Sequence, residues 1–184
     1  MRIIAGSLKG RRLAPVKGLI RPTGAKVREA VFAILGQAVV EARVLDLFAG
    51  TGALGIEALS RGAEVVVFVE DHPESLKVLR RNLESLDLQG KIRVLPLAVL
   101  HALKKLALQG QKYDLAFLDP PYGGDTAVAA LQGLAAAGLM APGAAVVVEH
   151  GRRDILPEAA GNLQRLELRR YGDTQVAFYQ AVEE

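Results

Sequence analysis

Two short stretches hold the residue types that can do chemistry. The first, Val44-Leu45-Asp46-Leu47-Phe48-Ala49-Gly50-Thr51-Gly52-Ala53-Leu54-Gly55, is an apolar run with one carboxylate inside it, leading into three glycines. The second is Asp119-Pro120-Pro121-Tyr122, which follows the apolar run Tyr113 to Leu118. In the first stretch, glycines permit positive φ and close approach of the backbone to a ligand. The helical pattern opening at Ile56 adds N–H groups with no partner in the helix. Gly50, Gly52 and Gly55 fit the G-x-G-x-x-G dinucleotide fingerprint, and Glu70 ends the next strand where a ribose-binding acid belongs. The glycines alone admit NAD, or a tight turn with no ligand. Asp46 separates these readings. Four residues before the first glycine, it would repel a pyrophosphate and suit a cofactor that carries an ammonium and a sulfonium, namely S-adenosylmethionine.

In the second stretch two prolines end the strand and fix the backbone. The Asp119 carboxylate and the Pro120 carbonyl can then face one exocyclic amine. Such an amine has two N–H bonds and a lone pair spread into its ring, and two acceptors would draw it toward a pyramidal, more nucleophilic shape. Tyr122 offers a face on which an extruded base can stack. Taken alone, Asp-Pro-Pro-Tyr is also a plain turn with a surface tyrosine. Its place after a fourth strand, downstream of the glycine loop and Glu70, favours the site.

The elements that must position these residues follow from periodicity. From Arg43 onward, strands are expected at 43–48, 64–70, 91–97, 113–119 and 144–149, separated by helices near 53–61, 73–87, 98–109 and 125–138. Val65 to Val69 is almost continuously β-branched, as a strand buried on both faces should be. Strands alternating with helices imply a parallel doubly wound α/β sheet. The chain should end in an antiparallel hairpin, 163–171 and 175–182, and Pro142-Gly143 reads as a turn. Upstream, Arg2 to Val16 reads as two short strands around Gly6–Gly10. Thr23 is a plausible N-cap for a helix to about Gly36, whose apolar stripe would be Val27, Ala30, Val31, Ile34 and Leu35, with Lys26, Arg28 and Glu29 facing away.

At 184 residues the chain suits one domain. It has no cysteine, which removes disulfides and thiolate catalysis and leaves no expected metal site. No apolar run reaches the roughly 18 residues of a membrane helix, so a cytoplasmic protein, most simply a monomer, is expected. The first 28 residues carry eight cations and no acid, leaving 15 basic against 20 acidic residues for the rest. A basic arm on an acidic body is a phosphate-binding footprint. Its candidate contacts are Lys9, Arg11, Arg12, Arg21, Thr23 and Arg28. His72 and His101 read as surface residues, and Glu149-His150 as the rim of the crevice without a catalytic role.

With these motifs assembled, the chain resembles the RsmD family of bacterial 16S ribosomal RNA guanine-N2 methyltransferases over nearly its full length. Arg2-Ile3-Ile4-Ala5-Gly6 with Lys9-Gly10-Arg11-Arg12-Leu13, Arg21-Pro22-Thr23 with Val27-Arg28-Glu29, Asp46 to Gly55 and Asp119 to Tyr122 carry the likeness. The resemblance implies a Rossmann-like class I methyltransferase fold, S-adenosylmethionine as donor, and 16S rRNA as partner. The target would be a guanine in the P-site-facing hairpin loop of the small-subunit head, met on an assembled or assembling subunit. It also implies that Asp46, Phe48, Gly50, Gly52, Glu70 and Ala98 border the cofactor, and that Asp119, Pro120, Pro121 and Tyr122 hold the base. At Pro96-Leu97-Ala98-Val99 the chain departs from the family, which usually has Asp or Asn to meet adenine. The rival readings are an amino-methyltransferase acting on adenine N6, an NAD-dependent oxidoreductase, and an RNA-binding module without activity.

Overall fold

The computed structural model describes residues 1–16, 24–88 and 90–183. After helix α1 (Ala25–Leu35), strands β1 (Arg43–Leu47), β2 (Val65–Val69), β3 (Ile92–Leu95), β4 (Tyr113–Leu118) and β5 (Met140–Gly151) alternate with helices α2 (Ala53–Ser60), α3 (Pro73–Glu84), α4 (Val99–Ala107) and α5 (Thr126–Ala136). Strands β6 (Ala159–Ala160), β7 (Leu163–Tyr171) and β8 (Thr174–Ala181) close the chain. The eight strands form one sheet in the order β3-β2-β1-β4-β5-β8-β7-β6. Pairing is parallel from β3 to β5 and antiparallel from there on. This is the expected α/β architecture with its C-terminal hairpin.

Strand order reverses between β1 and β4, and that reversal opens the crevice in which such sheets bind ligands. Side-chain alternation divides the core into two layers. Leu45, Leu47, Ala116, Leu118, Val146 and Val148 face α4 and α5. Val44, Leu115, Phe117 and Val147 face the layer of α1, α2 and α3, where Phe32 meets Phe117 with ring centroids 5.5 Å apart. Asp46, lying between Leu45 and Leu47, shares the second face with Val44.

Four expectations need correction. The α1 stripe is Arg28, Val31, Phe32 and Leu35, while Ile34 is exposed. Helix α1 is therefore turned from the expected orientation, because Phe32 is the larger apolar group and seeks β4. Pro142-Gly143 lies inside β5, where the register against β4 slips between Met140 and Ala145. Strand β6 had not been anticipated. Finally, the N-terminal hairpin holds one isolated bridge, Arg2 to Arg12, instead of two strands. Leu13 N to Met1 O (2.9 Å), Ile3 N to Arg11 O (3.0 Å) and Gly10 N to Ile3 O (2.9 Å) still pair the two arms. The N–H groups of Ile4, Ala5, Leu8 and Ala14 turn instead to side chains on α2 and α3, so the ladder goes no further.

Candidate active site

The glycine loop is built by positive φ at three places. Phe48 (φ 64), Gly50 (φ 56) and Gly52 (φ 83) reverse the chain between β1 and α2. A bulky residue in this region is strained by about 1–3 kcal/mol, which surrounding structure must hold. Here Ala49 N donates to Val69 O at 2.9 Å and Gly52 N to Ala49 O at 2.7 Å. The third glycine has another purpose. A Cβ on Gly55 would lie 2.4 Å from Phe68 Cε1 and 2.8 Å from Val66 Cγ1, so its absence lets α2 press onto β2.

Two carboxylates brace this loop from below and from the side. Asp46 is 1 % exposed, and its Oδ2 accepts the Gly55 N–H at 2.9 Å, one of the N–H groups that the start of α2 leaves without a helical partner. Burial pushes its pKa up to about 8; the Gly55 bond opposes the rise and nearby Glu70 adds to it. Glu70 accepts Gly50 N at 2.8 Å through Oε2, and Asp71 N (3.0 Å) and His72 N (2.8 Å) through Oε1. A carboxylate has about four acceptor sites, so capacity for a hydroxyl remains. Gly50 carries no side chain toward the opening, and a Cβ there would meet only Phe48 O, at 3.9 Å. Ala98 is the exposed N-cap of α4 and supplies no side-chain cap.

The second motif comes to the same place. Leu47 pairs with Leu118, and Asp119 N approaches Leu47 O at 3.5 Å. Asp119 is half-buried, Pro120 buried, and Pro121 and Tyr122 exposed. The tyrosine is anchored by its far end. Its hydroxyl donates to Glu149 Oε1 at 2.6 Å and lies 3.0 Å from Thr174 Oγ1. Burial and the Glu149 carboxylate both raise the pKa of that hydroxyl, so it stays a donor. The ring is thus pinned by β5 and by the start of β8. Sequence reasoning had set Glu149 aside and missed Thr174. The available signal was a lone acid ending the buried run Val146 to Val148. Glu149 also lines, with Val31, Leu54, Leu118, Val147 and Val176, a cavity of about 10 Å³ beneath the crevice. A roomier groove of about 210 Å³ between α3 and β3, lined by Arg80, Leu83, Glu84, Leu88, Ile92 and Val94, contains none of the expected site residues.

The basic arm is bolted down. Glu57, 1 % exposed on α2, accepts Ile4 N (2.8 Å) and Ala5 N (3.0 Å). Ser60 Oγ accepts Leu8 N at 3.0 Å and its carbonyl accepts Ser7 N at 2.7 Å. Asn82 on α3 exchanges two bonds with Ala14. Gly6 (φ 81) fits because a Cβ there would overlap the Ser60 carbonyl. Lys9, Arg11 and Arg12 remain exposed, with Arg11 donating to Ser85 O at 2.6 Å. Arg28 corrects the expectation of a phosphate contact, being 1 % exposed. Its guanidinium donates to Arg2 O at 2.8 Å, and its Nε, 3.8 Å from Glu57, is an ion-pair partner beyond hydrogen-bond reach. Desolvation lowers its pKa, with Glu57 acting the other way. Arg21 and Thr23 lie outside the described residues.

The family model described as Conserved hypothetical protein 95 matches residues 1–180. A Haemophilus influenzae protein named Ribosomal RNA small subunit methyltransferase D is 36 % identical over 151 residues, covering 81 % of this chain and 78 % of that one. The chain belongs to this family, RsmD. A solved Thermus thermophilus structure, titled as a hypothetical protein, superposes with a TM-score of 0.85 at 33 % identity, over 100 % of this chain and 99 % of that chain. A more distant structure, titled as a complex with SAH, shares the class I fold at 18 % identity, with a TM-score of 0.68 over 84 % of this chain and 48 % of that chain. Among the described residues, no helix of this RsmD-family chain is long and apolar enough to cross a membrane, and no cluster of His, Cys, Asp or Glu could hold a metal ion.

Proposed function

We propose that the chain transfers a methyl group from S-adenosylmethionine to the exocyclic N2 of a guanine in 16S rRNA, within the P-site-facing hairpin loop of the small-subunit head. The observation that carries this reading is the Leu47–Leu118 register, which sets the glycine loop and Asp119 side by side at the carboxyl ends of the neighbouring interior strands β1 and β4. The names of the ribosomal RNA methyltransferases in the family support the substrate class.

The residues present fit the cofactor. The open face at Gly50 admits it to the backbone, Glu70 keeps an acceptor for a ribose hydroxyl, and Asp46 is a carboxylate that a neighbouring cation would ionise. When bound, S-adenosylmethionine supplies the methyl on a positive sulfur, which leaves as a neutral thioether. Asp119 and the Pro120 carbonyl accept the two N–H groups of the base amine and orient its lone pair. Tyr122 stacks on the base, its ring fixed by Glu149 and Thr174. As the N–CH₃ bond forms the amine becomes acidic, and its proton passes to Asp119 or to solvent. Most of the rate gain is then position and orientation.

Tritiated donor offered in parallel to deproteinised ribosomal RNA and to undermethylated small subunits tests the reading, with the labelled nucleotide then identified. Label at guanine N2 in the particle is expected. Label at adenine N6, or on free RNA at least as fast as on the particle, would overturn it.

A further inference from the structure

An exposed turn, distinct from the basic arm, lies beside Tyr122. Strand β5 ends at Gly151, and Arg152-Arg153-Asp154-Ile155 follows. The turn is tied to the site by its own acid. Asp154 Oδ2 accepts Gly151 N at 3.0 Å and approaches Gly123 N, just past the Asp-Pro-Pro-Tyr motif, at 3.4 Å. A Cβ on Gly151 would lie 3.5 Å from Tyr122 Cβ and Cδ2, so turn and tyrosine are in contact. On its other side, Arg152 N donates to Asp173 O at 3.0 Å in the β7–β8 turn. The backbone is therefore held at both ends while its side chains face out.

Those side chains have an uneven character. Arg152 and Arg153 are exposed, and among the described residues neither has an acid within ion-pair distance. Nearby Arg169, by contrast, is paired with Glu167. Asp154, the one acid of the turn, is occupied by backbone N–H groups, and Asp173 belongs to the facing β7–β8 turn. Ile155 is 88 % exposed, whereas Leu156 beside it is buried. Two uncommitted guanidinium groups and an apolar side chain, on a rigid turn against the base-stacking ring, suit the phosphates and the unstacked neighbour of an extruded nucleotide.

We infer that the Arg152–Ile155 turn is a second RNA contact, gripping the backbone next to the target guanine on the side opposite the cofactor loop. This rests on the reading of the chain as an RNA methyltransferase. Each phosphate neutralised contributes about 0.7–0.9 to the slope of log affinity against log salt. The double variant Arg152→Ala/Arg153→Ala should therefore lose about 1.4–1.8 from that slope. Between 50 and 200 mM salt, its affinity for undermethylated small subunits should fall about tenfold less than that of the unaltered chain. Titration with S-adenosylmethionine and thermal melting should be unchanged, and Ile155→Ala should weaken binding severalfold without altering the slope. The exposed pair Lys104 and Lys105 on α4, changed to Ala, is the control and should leave the slope as it was. An unaltered slope in the arginine variant overturns the inference. Failure of the unaltered chain to bind or methylate the particle would overturn the underlying reading instead.

Discussion

Asp46 should lose a proton when the cofactor binds. With a pKa of about 8 its carboxyl is about nine-tenths protonated at pH 7 and about one-tenth at pH 9. An ammonium or sulfonium arriving beside it restores the charged form. Binding at pH 7 should then release most of a proton, and affinity should rise with pH toward about pH 8, above which the cofactor's own ammonium begins to titrate. Stability without cofactor carries the opposite signature. A carboxyl whose folded pKa is raised stabilises the fold relative to pH values above it. Its contribution is full below the unfolded value near 3.8 and is lost as pH climbs toward 8. At pH 7 the loss is on the order of 4 kcal/mol. Asp46→Asn keeps an oxygen for the Gly55 N–H and removes the titration, so it should flatten the pH dependence of melting while weakening the cofactor. Calorimetric titrations in buffers of different ionisation enthalpy count the protons directly. No net release between pH 6 and pH 8, or the same release from Asp46→Asn, would refute the reasoning.

Gly55→Ala places a methyl 2.4 Å from Phe68 and should cost about 1–3 kcal/mol in denaturant unfolding, because neither α2 nor the fully buried phenyl ring can yield freely. Arg28→Ala should lower the melting temperature, because it empties a buried site and removes the donor to Arg2 O while Arg61, 2.9 Å from Glu57, remains that acid's cation. It should leave the salt slope of RNA binding alone; neutralising Lys9, Arg11 and Arg12 should do the reverse. Tyr122→Phe keeps the stacking face and loses both hydroxyl contacts, so kcat should fall more than RNA affinity, with cofactor titration unchanged. Asn82→Ala should weaken both cofactor and RNA binding, since its amide joins Ala14 of the arm to Thr51 of the glycine loop, whereas a purely structural residue would lower melting alone.

What the sequence discloses tracks how local the cause is. The glycine loop and the Asp-Pro-Pro corner are legible because strand, turn and helix start are each set within a dozen residues. Their meeting is legible too, since alternating strands and helices leave few topologies. Arg28 was misread for the converse reason. A charged residue on a helix reads as solvent-facing, and its burial depends on Glu57, 29 positions later, and on the Arg2 carbonyl, neither visible in local periodicity. The slip inside β5 depends on pairing with β4, and Thr174 gains its role only because β8 returns antiparallel to Gly151.

The same nonlocal residues change what the basic arm is. A cationic tail would have to be ordered on binding, at the cost of its conformational entropy. Here Glu57, Ser60 and Asn82, all buried, spend their polar groups on the arm's backbone and leave Lys9, Arg11 and Arg12 outward. Over residues 1–16 the backbone of the arm is therefore ordered before any partner arrives, so Lys9, Arg11 and Arg12 act from fixed positions. Fixed cations on a body that is acidic elsewhere select a shaped array of phosphates over a flexible strand, because a rigid array gains only where the phosphates match its spacing. On the proposed function, that physical preference, more than the number of charges, is what would favour folded RNA in a particle over a free strand.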